Sequence, residues 1–335
     1  MTLEIKTASL QPVRQTFANV ARRFGEKPAT RYQEATYDAQ ATANFHYRPL
    51  WMPDKTLNDP THTAIQMKDW YVFRDPRQFY YGAYVQNRAR MQESAETNYG
   101  FFEKRELAQY LSEDVKAKVT RLLLPVRHIE QTANLNFMSG SAYGYGTTIT
   151  QACLYAGMDS LGMAQYVSRM GLLIDGNSAD SLSQAKEAWM QDAAWQGLRA
   201  LCEKTLVQKD WFELLLVQSL LVNSVVHQGV YQALVADLAK EGGRDLDMLL
   251  EFMLECHKDL SNWSDSVFKI AVAEGEENKQ QLQTWLNQWL PQVHAAFMPY
   301  LKAAFAEQAD QVWEQAQETI AKRVTKAGLS LGGEA

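Results

Sequence analysis

Residues 115–135 read VKAKVTRLLLPVRHIEQTANL, a run with the pattern of a long buried helix. The apolar residues Val115, Val119, Leu122, Val126, Ile129 and Ala133 recur at spacings of 4, 3, 4, 3 and 4, the period of one helix face packed in a bundle. Leu124 and Leu135 fall off that stripe, so the helix is apolar on more than one side and belongs at the centre. Pro125 stands inside it, where a proline forfeits a hydrogen bond and costs roughly 3 kcal/mol unless a kink accommodates it. A kink is expected there.

Outward from this stretch the chain reads as helix after helix, over about 76–103, 147–173, 179–207, 211–240, 246–272, 276–290 and 291–326. The breaks carry the matching punctuation: Ser112 with Glu113 and Asp114, Gly176-Asn177-Ser178, Gly242-Gly243, and Gly275 before an acidic turn. Alternating strand patterns are scarce and no repeat of fixed period occurs. The fold class is all-α, a long-helix bundle.

The first 75 residues differ. Five of the nine prolines fall in the first 60 residues, and between Pro76 and Pro291 there is only Pro125. This asymmetry divides an extended arm, 1–75, from a helical domain, 76–335, with one short helix expected from Pro12 to Phe24 and Gly25 as its stop. The arm carries Tyr32, Tyr37, Phe45, Tyr47, Trp51, Trp70, Tyr71 and Phe73, too aromatic to be left in water. It lies either on its own domain or on another subunit.

Composition narrows the function. The 335 residues are 46% apolar and 21% charged, and 33 basic against 39 acidic residues give −6 with no block of like charge. Nucleic acid and anionic membrane surfaces, which favour clustered Lys and Arg, are not the expected partners. Cys153, Cys202 and Cys256 form no C-x-x-C pair and point to a reducing cytoplasm. The N-terminal residues lack the apolar core of a signal peptide. The richest apolar window, 211–226, is interrupted by Glu213, Gln218 and Asn223 and reads as a buried helix rather than a membrane span.

A polar-lined bundle of long helices raises the question of a carboxylate-bridged di-iron site, which takes Glu-x-x-His from two helices. The residues three before the six histidines are Ala43, Asp59, Pro125, Ser224, Leu254 and Pro291, so that motif occurs nowhere. Gly140-Ser141-Ala142-Tyr143-Gly144 is no nucleophile elbow, and its small residues suit a close helix approach or a turn. No catalytic residue is expected on this chain.

Trp70-Tyr71-Val72-Phe73-Arg74-Asp75-Pro76, then Tyr84, Trp189, Trp195-Gln196, Arg199, Glu203 and Asp210-Trp211, resemble the β subunit of bacterial multicomponent monooxygenase hydroxylases, nearest to that of the phenol hydroxylases. The resemblance implies a ferritin-like fold with extra C-terminal helices, and a non-catalytic structural subunit of an NADH-dependent enzyme that converts phenols to catechols with O₂. Relatives acting on toluene, alkenes or methane are the alternative, and a free-standing helical enzyme the third.

By the same resemblance, the di-iron centre sits in the α subunit, and the partners are α and γ in an (αβγ)₂ assembly, a regulatory protein, and a reductase carrying FAD and an iron–sulfur cluster. Pro125 with His128, and Leu254 with His257, look like the degenerate metal positions, each lacking its carboxylate. Both histidines are expected to be buried and hydrogen-bonded. The two other family glutamates fall near Glu96 and Gln218. In such an assembly Tyr47, Arg48, Pro49, Leu50 and Trp51 are the expected contacts with α.

Overall fold

Among residues 16–25, 28–41 and 48–331, those described by the computed structural model, every regular element is helical. Two short helices, α1 (Ala18–Phe24) and α2 (Arg31–Thr36), come first. The body follows with α3 (Tyr81–Lys104), α4 (Glu113–Lys118), α5 (Val126–Tyr143), α6 (Thr147–Ile174), α7 (Asp180–Gln191) and α8 (Ala193–Leu206). A rod is then built from α9 (Trp211–Leu215), α10 (Asn223–Val225) and α11 (Val235–Leu238), joined by π turns at Leu216–Val222 and Val226–Leu234. α12 (Glu251–Glu274), α13 (Glu276–Phe305) and α14 (Ala309–Ala327) complete the chain. The rod contains the most apolar window, which is 89% buried against protein.

α5 and α6 form a hairpin on which α8 and α9 pack, and α12, α13 and α14 lie against one another on the far side of the rod. The hairpin closes tightly because glycines face the partner helix. A Cβ on Gly140 would stand 2.9 Å from Cys153 Sγ, and one on Gly157 2.8 Å from Met138 Cε. Gly146, with φ +84°, turns the chain into α6 in a conformation that L side chains rarely adopt.

The conflict at Pro125 is resolved upstream of the proline. Residues 119–123 form a π turn, with Leu124 N donating to Val119 O at 2.9 Å. α5 then restarts with Pro125 just before it, where a missing N–H costs no intrahelical bond. Two neighbouring carbonyls are capped by other helices. Trp195 Nε1 of α8 donates to Arg121 O at 2.9 Å, and Tyr300 Oη of α13 donates to Leu122 O at 3.1 Å. Their rings pack 4.7 Å apart.

Several boundaries differ from the sequence reading. The helix expected over 12–24 starts at Ala18 among the described residues, and α2 was not foreseen, although Thr30 and Gln33 close a capping box on it. The single helix expected over 179–207 breaks at Asp192, whose carboxylate accepts from Ala194 N and starts α8. The break expected at Pro291 is absent: α13 runs through Pro291 and Pro299 to Phe305. Both prolines are exposed, and so are Asn287 and Ala295, the residues whose carbonyls lose a donor, so water can serve them. The helix beginning near Leu246 is a 3₁₀ turn until α12 opens at Glu251.

Residue 75 marks a change in backbone character rather than a packing boundary. Ile65, Trp70 and Phe73 belong to the main core, with Trp70 5.8 Å from Trp211. Tyr32 Oη accepts from Asp75 N at 2.9 Å. The later part of the arm therefore lies on its own domain.

The joint at Pro125 can be tested by denaturation. Trp195→Phe is expected to lower stability by about 1 kcal/mol, because Arg121 O loses the donor that Trp195 supplies. In a Pro125→Ala background the restored amide can serve that carbonyl, so the same substitution should cost less. Equal penalties in both backgrounds, read from urea midpoints, would refute the account.

Candidate functional site

The two histidines of the degenerate metal positions sit in different surroundings. His128, half-buried on α5, stacks on Trp189 of α7 with ring centroids 5.3 Å apart, and Pro125 belongs to the joint just described. His257 on α12 is buried, with its ring 4.8 Å from His227 and 6.3 Å from Tyr231, while Leu254 is only partly buried.

Both imidazoles depart from expectation, since Nε2 of each is buried without a protein hydrogen-bond partner, and His128 is not fully enclosed. Each ring packs against aromatic neighbours instead, His128 stacked on Trp189 and His257 tilted against His227. Burial, reinforced by Arg127 and Lys186, pushes His128 down to about 4. Burial followed by His227 and Arg323 holds His257 well below the usual range, and His227 is lowered by burial and Arg323. The neutral imidazole is the form the fold accommodates.

The carboxylates of α5 and α6 are engaged by side chains of other elements. Glu130, two residues beyond His128, faces the interior, where its Oε1 accepts from Tyr231 Oη at 2.7 Å and its Oε2 has no partner. Burial raises its carboxyl to about 7, against the pull of the Tyr231 hydrogen bond.

Asp159 on α6 is held through both oxygens by Arg88 of α3, at 2.8 Å from Nε and 2.7 Å from Nη2, and also accepts from Tyr84 Oη at 2.9 Å. Arg88 Nη1 reaches Asp259 of α12 at 2.8 Å. Of the other two positions, Glu96 pairs on the surface with Arg169, and Gln218 is buried, accepting from Asn136 and donating to Asn223. Glu255 is exposed.

A di-iron pair needs carboxylates and imidazoles converging on one cavity, and the residues present do not fit it. Among the described residues no group of three or more His, Cys, Asp or Glu is placed to hold a metal. What the buried polar residues do instead is tie helices together. Arg323 of α14 shows the same use, donating to Asp265 of α12 at 2.7 Å, to Ser264 Oγ, and to Ser224 Oγ and Ser219 O of the rod. Sequence reasoning missed Glu130–Tyr231 and Arg88–Asp159. The available signal was that Glu130 and Asp159 are each the one carboxylate of their helix.

Of the five expected interface residues, Tyr47 lies outside the described residues. Pro49 is buried and Arg48 exposed, donating to Pro53 O. Leu50 and Trp51 are 93% and 68% exposed, and Trp51 Nε1 donates to Tyr143 Oη at 2.6 Å, at the turn of the α5–α6 hairpin.

Residues 51–275 match the profile of the methane/phenol/alkene hydroxylases. The chain belongs to that family. It is 59% identical over 329 residues, 98% of both chains, to the phenol 2-monooxygenase oxygenase component MhpL of Acinetobacter pittii. It is 24% identical over 241 residues, 71% of this chain and 73% of the other, to the hydroxylase component subunit beta of the toluene-4-monooxygenase system of Ectopseudomonas mendocina.

Its fold superposes on the crystal structure of xenon-pressurized phenol hydroxylase from Pseudomonas sp. OX1 with a TM-score of 0.94, at 46% identity over 99% of this chain and 100% of that one. The likeness to the phenol hydroxylase β subunit, read from residues 70–76 and 189–211, is borne out.

The buried groups of this hydroxylase chain make its stability depend on pH in two opposing ways. Glu130, raised from 4.5 to about 7, favours the fold fully below pH 4.5, and that contribution is lost as pH rises through 7. The lowered histidines contribute above their ordinary 6.5, and His128 loses its share as pH falls through about 4. Glu130→Gln keeps an acceptor for Tyr231 without the charge. It should stabilise the chain above pH 7 by on the order of 3 kcal/mol and progressively less toward pH 5. Urea midpoints at three pH values measure this, and a gap independent of pH would refute it.

Proposed function

We propose that this chain is the β subunit of a phenol hydroxylase. It holds the catalytic α subunit and the dimer interface in shape while α inserts one oxygen atom of O₂ into phenols to give catechols. The observation that carries the reading is that His128 and His257 meet aromatic rings rather than a group of metal ligands, with Pro125 and Leu254 supplying no carboxylate, in a chain 59% identical to a phenol 2-monooxygenase oxygenase component.

In this reading the di-iron centre belongs to α, and the complex is an (αβγ)₂ hydroxylase in the cytoplasm. It is served by a regulatory protein and by a reductase that passes electrons from NADH through FAD and an iron–sulfur cluster. The chain's own residues contribute no step of the reaction. Arg88, Glu130, Asp159 and Arg323 fix the helices against which a partner is held.

Purification on a tag carried by this chain, with mass spectrometry and iron analysis, tests the proposal. A larger subunit should co-purify in equal amount with the iron, and His128→Ala with His257→Ala should leave iron per complex unchanged. Iron that stays with the isolated chain and vanishes in the double variant would overturn the reading.

Trp51 and Leu50 supply a second expectation. Large exposed side chains of this kind anchor interfaces when buried by a partner. Leu50→Ala with Trp51→Ala should reduce co-purified α several-fold while helicity by circular dichroism is kept. Undiminished assembly and turnover would remove these residues from the interface.

A further inference from the structure

From Gln131 to Ser168 the chain runs 38 residues with a single charged side chain, Asp159. At the chain's overall 21% charged, a run of that length would carry about 8. Asp159 is buried under Arg88, so the outer face of the α5–α6 hairpin carries no charge across this run.

What it does carry is apolar. Leu154, Met158 and Leu161 stand at i, i+4 and i+7 on α6, 36%, 39% and 39% exposed, and Leu135 on α5 is 46% exposed. Gln131 and Gln165 are exposed on the same two helices. The solvent side of a surface helix ordinarily carries its charged residues, and a contiguous uncharged apolar face marks an interaction site.

We infer that this face, centred on Leu135, Leu154, Met158 and Leu161, is the surface on which the larger subunit of the hydroxylase packs. The inference rests on the reading of this chain as the smaller, β-type subunit and deepens it by naming the contact. Two observations select that occupant. One end of the hairpin carries Tyr143, which holds Trp51, so the face continues toward the exposed Leu50 and Trp51. The other concerns size. At 1.5 Å per residue and roughly 10 Å per helix, two adjacent helices of this length present on the order of 600 Å², close to the ~800 Å² per partner of a stable protein–protein interface. The exposed arm residues supply the remainder.

Depletion of charge at the core of a contact, with aromatic and Met side chains retained, is the composition of a permanent interface. Tyr84 of α3 stacks on Tyr155 at 4.3 Å beneath the face, and Met158 borders a groove that Arg88, Glu96 and Arg169 also line, so charge begins only at the edge of the face toward α3.

The test uses the assembled hydroxylase. Met158→Cys, labelled with a benzophenone maleimide, places a photo-crosslinker in the face, and the native Cys153, Cys202 and Cys256 are buried. Irradiation of the complex should join this chain to the larger subunit. A crosslink to a second copy of this chain, to the small γ-type subunit, or to no protein overturns the inference while co-purification of the larger subunit leaves the subunit reading standing. If no larger subunit co-purifies, both fall.

Leu154→Glu with Leu161→Glu should reduce the larger subunit recovered at least tenfold. Val207→Glu, an exposed apolar position at the end of α8, should leave recovery unchanged. Circular dichroism of the variants separates lost docking from lost folding, and full recovery of a folded double variant would also overturn the inference.

Discussion

A proline has no amide hydrogen, and the middle of this protein is arranged around that fact. Pro125 forces the central helix to stop and restart, and the carbonyls just before it are served by Trp195 and Tyr300 from two other helices. The consequence is cooperative. α8 and α13 cannot move away from the π turn without taking the donors from those carbonyls, so the local defect becomes a point where two other helices are fastened to the start of α5.

The other buried polar groups extend the same logic. Arg88 joins α3 to α6 and α12, Arg323 joins α14 to α12 and the rod, and Tyr231 joins the rod to α5 through Glu130. An apolar bundle tolerates sliding of its helices, whereas a bidentate guanidinium–carboxylate pair has one geometry. These pairs fix how the helices sit against one another. Both oxygens of Asp159 are engaged by Arg88, and one of them also accepts from Tyr84.

The parts legible in the sequence were those governed by period and by termini. The 3.6-residue stripe from Val115 to Ala133 announced the central helix, and Thr147 to Leu173 was foreseen within a residue because Gly146 starts it. Pro291 misled because proline breaks a helix only where the freed carbonyl has no water to serve it, and exposure is a tertiary property. His128 and His257 were located by spacing, but that they meet the rings of Trp189 and His227 depends on helices far away in sequence. Glu130 was visible as the one carboxylate between Val126 and Tyr143, and only its distance to Tyr231 gives it a role.

The π turns at Leu216–Val222 and Val226–Leu234 change how positions along the rod can be counted. Such a turn holds one residue more than an α-helical turn, and in an α-helix each residue advances the facing by about 100°. Every extra residue therefore rotates all that follows relative to a straight helix, and a comparison made by counting in threes and fours drifts out of phase by the time it reaches His227. Gln218, buried among Asn136 and Asn223, stands within the first of these turns. The rod is thus a ruler with uneven divisions: two relatives can share its length and its ends while the same ordinal position points into the bundle in one and sideways in the other.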